Sequence, residues 1–149
     1  MIKNIAIAFC ALMLLSGCGS TKKGMSSTTE LVLNERFTRE AGDRVFFPFN
    51  SSEITADSKA VLCKQAEWLK AHPSLKATIE GHCDERGTRE YNLALGERRA
   101  NAAKKLLVTY GVEESRLETI SYGKERPAVI GNTDADYALN RRDVTVVRD

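Results

Sequence analysis

Between residues 44 and 147 the spacing of apolar side chains alternates between that of a strand and that of a helix, which restricts the fold more than any other feature of the chain. Val45, Phe46, Phe47 and Phe49 form a β-rich apolar run that Pro48 and Asn50 bring to an end. Thr55 stands where an N-cap belongs; Leu62, Ala66 and Leu69 follow at i, i+4 and i+7, widened by Val61 and Trp68, until His72-Pro73 stops the helix. Leu75, Ala77 and Ile79 then alternate with Lys76, Thr78 and Glu80 as far as Gly81, which predicts a strand with one apolar face. A longer helix starts at Thr88 or Arg89 and ends before Gly111. Residues 117–122 and 144–147 read as strands, with 123–140 a loop holding one short helix at 135–140. The order strand, helix, strand, helix, strand, strand predicts an α/β sandwich, one mixed four-stranded sheet packed by two long helices and a short third.

The long helix carries an anomaly. Asn92, Leu95, Arg99, Ala103, Leu106 and Tyr110 advance by three or four residues and so share one face. An arginine does not belong on such a stripe unless it is paired or reaches solvent with its head group.

The N-terminus has a different character. Lys3 supplies a positive start, residues 5–15 are apolar, and Ser16-Gly17 are small, the pattern of a signal peptide over residues 1–17. The apolar run is shorter than the roughly 20 residues that span a bilayer as a helix. Leu15-Ser16-Gly17-Cys18 resembles the lipobox of bacterial lipoproteins, in which the cysteine is lipidated and becomes the first residue of the mature chain. More than one acyl chain makes such anchoring durable. Residues 19–43, rich in Ser, Thr, Gly and Lys at the start and with only a short apolar cluster at Leu31-Val32-Leu33, read as a flexible tether, with that cluster free to dock on the domain or on a partner. As a coil its span is about 25 to 30 Å. The formal net charge of +2 falls to +1 without residues 1–17, whose only charge is Lys3, so no nucleic-acid partner is expected. Cys63 and Cys83 remain in a compartment that permits a disulfide, and spacing alone leaves open whether they bridge or stay as thiols.

The segment Gly81-His82-Cys83-Asp84-Glu85-Arg86-Gly87-Thr88 packs polar residues into the connection before the long helix, a common place for function. From there through Tyr91-Asn92-Leu93-Ala94-Leu95-Gly96-Glu97-Arg98-Arg99-Ala100, Ser121-Tyr122-Gly123-Lys124-Glu125-Arg126-Pro127 and Asn140-Arg141-Arg142, the chain resembles the OmpA-like domains, most closely those of the peptidoglycan-associated lipoproteins. The resemblance covers residues 44–147 and implies the OmpA-like sandwich over 44–149, with non-covalent binding of peptidoglycan through the diaminopimelate of its stem peptide. It further implies an outer-membrane lipoprotein with its domain in the periplasm, a place in the Tol-Pal system with TolB as partner, and a role in envelope integrity and cell division. A second role that fits is an envelope interaction protein acting mainly through TolB or another protein, with weak wall binding.

By the same resemblance Asp84 and Arg99 occupy the ligand-binding positions, with Phe49, Asn50 and Ser51 as the opposite wall and Leu95 as apolar contact or core packing. Diaminopimelate presents carboxylates and an ammonium close together, so a fixed guanidinium and a fixed carboxylate suit it. Asn50 departs from the aspartate common in the family, which weakens any pairing with the ammonium there. An internal salt bridge between Asp84 and Arg99 is the plainer alternative. Glu80, His82 and Asp84 alternate onto one face but lack a second cluster of metal ligands, so neither metal nor cofactor is expected. Carboxylates on one loop rarely flank a scissile bond, and no nucleophile with its base is recognisable, so an enzyme is not expected either.

Overall fold

The computed structural model describes residues 27–149. The expected signal peptide and the lipidation position Cys18 lie outside them. A helix, α1 (Ser27–Ala41), comes first. It is followed by β1 (Arg44–Phe46), α2 (Ala56–Ala71), β2 (Lys76–His82), α3 (Arg89–Thr109), a 3-10 turn (Glu114–Arg116), β3 (Leu117–Gly123), α4 (Asp134–Asn140) and β4 (Arg142–Arg148). Thr55 and Thr88 cap α2 and α3, their hydroxyls accepting from the backbone N–H of Ser58 and Tyr91 at 3.2 Å each.

The strands form one mixed sheet in the order β1-β4-β2-β3, antiparallel except for the parallel pair β2 and β3. Val45, Ala77, Ile79, Leu117 and Val147 point from the sheet into the core, where they meet Leu62, Ala66 and Leu69 of α2 and Ala100, Ala103 and Leu107 of α3. Of the expected stripe on α3, Asn92, Leu95, Arg99 and Ala103 are buried but Leu106 and Tyr110 only partly so, and Leu107, beside that stripe, is fully buried instead. The helix lies very close to the sheet at one point: a Cβ on Gly81 would stand 2.0 Å from the Gly96 carbonyl oxygen. Only backbone fits there. This contact brings the first turns of α3 against the end of β2. Cys63 is exposed on α2 and Cys83 is buried, both as free thiols, so the bridge left open by the sequence is not formed.

Two sequence expectations need correction. The first strand, expected over Val45–Phe49, leaves the ladder after Phe46. The expected tether is a helix over much of its length, and residues 27–43 belong to the folded unit that was expected to begin at residue 44. The reason is a stripe of Leu33, Phe37 and Ala41 at four-residue spacing: Phe37 is fully buried against the Trp68 ring, 5.0 Å between centroids, and Trp68 donates to Glu40 at 2.8 Å. Of the cluster at 31–33, Leu33 docks on the core while Leu31 and Val32 stay exposed.

Helix α1 also closes a gap in the sheet. Because β1 pairs only with Arg142, Asp143 and Val144, the outer side of β4 has no neighbouring strand beyond them. The Asn34 side chain stands in for one, donating to the Val147 carbonyl at 2.8 Å and accepting from the Val147 N–H at 2.9 Å. Phe37→Ala is expected to cost about 3 to 5 kcal/mol, and Asn34→Ala about 1 kcal/mol. Urea denaturation of both variants measures this; unchanged midpoints would mean that α1 is not part of the core.

Candidate functional site

Where β1 and β2 end, their connections and the first turns of α3 enclose an open cavity of about 410 Å³. Phe49 and Asn50 line it from the β1 side, Cys83, Asp84, Arg86 and Gly87 from the loop after β2, and Tyr91, Asn92, Leu95 and Arg99 from α3. Five of the six expected binding residues therefore meet there. The sixth, Ser51, contributes its backbone just behind the wall, where its carbonyl accepts from Arg99 Nε at 2.8 Å.

Arg99 is fully buried, which explains its place on a core stripe. Besides the bond to Ser51, Nη1 donates to the His82 carbonyl at 3.0 Å and Nη2 to the Pro48 carbonyl at 3.2 Å. Nη1 also lies 3.5 Å from the Cys83 sulfur, whose thiol donates to the Asn92 carbonyl at 3.3 Å. Most of the guanidinium is thus spent on fixing the two strand ends against each other. Burial lowers its proton affinity, but a guanidinium stays charged in proteins. Burial pushes the Cys83 thiol up, so it is neutral at ordinary pH.

Asp84 is buried and does not pair with Arg99. Arg86 holds it, donating through its backbone N–H and Nε to Oδ1, both at 3.1 Å, and through Nη2 to Oδ2 at 2.9 Å. Arg141 adds a bond to Oδ2 at 3.4 Å and donates from Nε to the Phe47 carbonyl at 2.9 Å, tying the loop to the end of β1. Burial opposes ionisation of Asp84, yet the bonds from Arg86 and Arg141 outweigh it and hold the carboxyl below its ordinary range. The Arg86 guanidinium lies between the rings of Phe49 and Tyr137, 4.1 and 4.3 Å from their centroids. Asn50 has a left-handed backbone, φ 50°, a conformation asparagine tolerates, and its Oδ1 accepts from the Tyr91 hydroxyl. Leu95 is buried and lines the cavity.

Sequence reasoning assigned no role to Arg86, Arg141, Tyr91 or Tyr137. Arg86 lies two residues after Asp84 in the same polar connection, and a role for it was open to inference. The other three come from distant segments, and no local pattern points them at the cavity.

The OmpA family model matches residues 46–141. A peptidoglycan-associated lipoprotein of Brucella melitensis is 46% identical over 152 aligned residues, taking in 96% of this chain and 90% of that protein. The crystal structure of the peptidoglycan-associated lipoprotein from Burkholderia pseudomallei superposes with a TM-score of 0.69 at 42% identity, covering 71% of this chain and 90% of that one. The C-terminal domain of Helicobacter pylori MotB superposes with a TM-score of 0.67 at 22% identity over 72% of this chain and 84% of that one, a likeness of fold alone.

Behind Arg99, Asp143 is buried on β4 with neither carboxyl oxygen hydrogen-bonded among the described residues. Burial pushes its carboxyl well above the ordinary range, with only the Arg99 charge opposing. Folding therefore takes up a proton here. The stabilisation is complete below the unfolded value of about 3.9 and is lost as pH rises through the folded value. Asp143→Asn is expected to remove this loss, so its stability relative to the parent should grow as pH rises above the unfolded value of about 3.9 in urea titrations. A difference independent of pH would contradict the assignment.

Proposed function

The chain belongs to the OmpA family and, within it, to the peptidoglycan-associated lipoproteins, and on that premise we propose that it grips peptidoglycan non-covalently at this cavity and holds the outer membrane to the cell wall. The observation that carries the reading is the meeting of Asp84, Arg86 and Arg99 with apolar Phe49 and Leu95 around one solvent-open cavity. A stem peptide ending in diaminopimelate brings carboxylates, an ammonium and a short aliphatic chain, and each finds a matching group there. Arg99 acts chiefly as a positioning residue: it sets the Pro48–Ser51 wall at a fixed distance from the loop after β2 and adds positive charge to the floor. Arg86 and Phe49 present the contact surface.

Lipid on Cys18 supplies the other attachment, with the domain on the periplasmic side of the outer membrane. Each grip can be weak, because many anchored copies facing one polymer raise the effective concentration, and weak single contacts let the wall be remodelled. Binding without cleavage is the activity. The place in the Tol-Pal system, with TolB as partner and a part in constriction at division, rests on the family alone.

The test is cosedimentation of the full chain with purified sacculi. Asp84→Ala and Arg99→Ala should each weaken binding by about 2 to 5 kcal/mol, since each leaves a partner group unpaired. Phe49→Ala, at an exposed position, should weaken it while leaving the thermal midpoint unchanged. If all three sediment like the parent, the cavity is not the wall-binding site, and fragments released from the sacculi would replace binding with hydrolysis.

A further inference from the structure

Large apolar side chains that stand mostly in solvent gather at two ends of the domain. Among the described residues, four are more than half exposed: Phe49 at 61%, Ile130 at 97%, Leu31 at 63% and Val32 at 60%. Phe49 lines the cavity, and Ile130 borders a smaller recess beside it that shares Cys83 with the cavity. Leu31 and Val32 belong to the opposite end. Asn34, just after them on α1, bonds Val147, which pairs with Ala77 near the start of β2, whereas the cavity opens past His82, where β2 ends. That length of strand separates the two levels by about 17 Å. From Asn34 the helix climbs toward the cavity end, since the Asp43 carbonyl reaches the Thr145 N–H at 2.8 Å, so the residues ahead of Asn34 lie farthest from the cavity. Neither Leu31 nor Val32 serves the core: the packing stripe of α1 is Leu33, Phe37 and Ala41, and both side chains point off it. Glu30 is the one charge in residues 27–34, and it lines a groove with Asn34 and Val147 on the β4 side.

We propose that the first turns of α1 are a lipid-facing surface: in the anchored protein Leu31 and Val32 seat in the headgroup layer of the membrane that holds Cys18, and the cavity is turned away from it. The inference rests on the reading of Cys18 as the lipidated residue and adds an orientation to it. The length of chain ahead of α1 selects the occupant. Cys18 stands nine peptide steps from Ser27, at most about 30 Å, so the end of the domain that carries Leu31 and Val32 never leaves the neighbourhood of the bilayer. Two apolar side chains are too few to bring a free protein to a membrane, but on so short a leash the contact is intramolecular and the effective concentration of lipid is high. The connection itself carries Lys22 and Lys23 and no acidic residue, a charge that suits anionic lipid. A second copy or a soluble partner would have to enter the same narrow gap and displace a surface that is always present.

The test places the full chain, purified as the lipoprotein, in vesicles of phosphatidylethanolamine and phosphatidylglycerol whose acyl chains are brominated close to the headgroup. Leu31→Trp and Val32→Trp each add a fluorescent reporter at an exposed position, and the buried Trp68 of the parent gives the baseline. Leu139→Trp, at a position 47% exposed beside the cavity end, is the control. Brominated lipid should quench about half or more of the added emission at positions 31 and 32, as for side chains held at the headgroup and acyl boundary, and less than about a tenth of it at position 139. Equal, weak quenching at all three positions, in a chain that still floats with the vesicles, overturns the inference and leaves the lipid anchor standing. A blue shift at positions 31 and 32 that grows with the density of chains on the vesicle, without quenching by bromine, names a second copy as the occupant and overturns it as well. A full chain that does not float with the vesicles defeats the anchor reading itself, and the inference with it.

Discussion

A single buried guanidinium fixes the relation between the two strand ends on which the cavity is built. Arg99 donates to carbonyls on both sides, Pro48 and Ser51 after β1 and His82 at the end of β2, segments that no strand pairing joins. Burying a charge is costly, and the cost is met only where every neighbour is a well-placed acceptor. The arrangement needs α3 close enough for its side chain to reach both segments, and the Gly81–Gly96 approach three residues earlier supplies that. Without it the helix would be displaced by at least the width of a methyl group and the fork would miss its carbonyls.

The far end of the sandwich uses the same device. Arg116, in the 3-10 turn before β3, donates from Nε to the Leu75 carbonyl and from Nη2 to those of Leu69 and His72, each at 2.8 Å. There the fork closes the C-terminus of α2 onto the start of β2, satisfying carbonyls that a helix end leaves free. The difference lies in what remains exposed. At the Arg116 end the clamp joins consecutive elements and leaves a plain corner. The Arg99 clamp joins segments distant in sequence, so their connections splay apart and leave a cavity between them.

Much of this was legible in the sequence. The strict alternation at 75–80, the stripe beginning at Leu62 and the caps Thr55 and Thr88 are local signals, and local hydrogen bonds and burial realise them. Arg99 was conspicuous as a charge on an apolar stripe, although its partners are backbone carbonyls, which sequence does not mark. Helix α1 was missed because its stripe is only three residues wide in a polar setting, Leu33, Phe37 and Ala41, and its stability comes from Trp68 and Val147, far along the chain. The true partners of Asp84 split the same way. Arg86 is a sequence neighbour, whereas Arg141 arrives only because the short helix α4 ends beside the start of β4.

The docking of α1 changes what an anchor at Cys18 can do. A tether running to Arg44 would have a contour of about 90 Å, enough to let the domain wander far from the membrane. With the helix packed on the core, only nine peptide steps separate Cys18 from Ser27, about 30 Å at full extension whatever their conformation. In the lipoprotein reading the domain is then held on a short leash. Capture of the wall depends on the wall lying within that reach plus the depth of the domain, so the packing of Phe37 against Trp68 is also a constraint on the spacing between membrane and wall. A fold that spent its helix as free linker would gain reach, but its effective concentration at the wall would fall steeply with the added length.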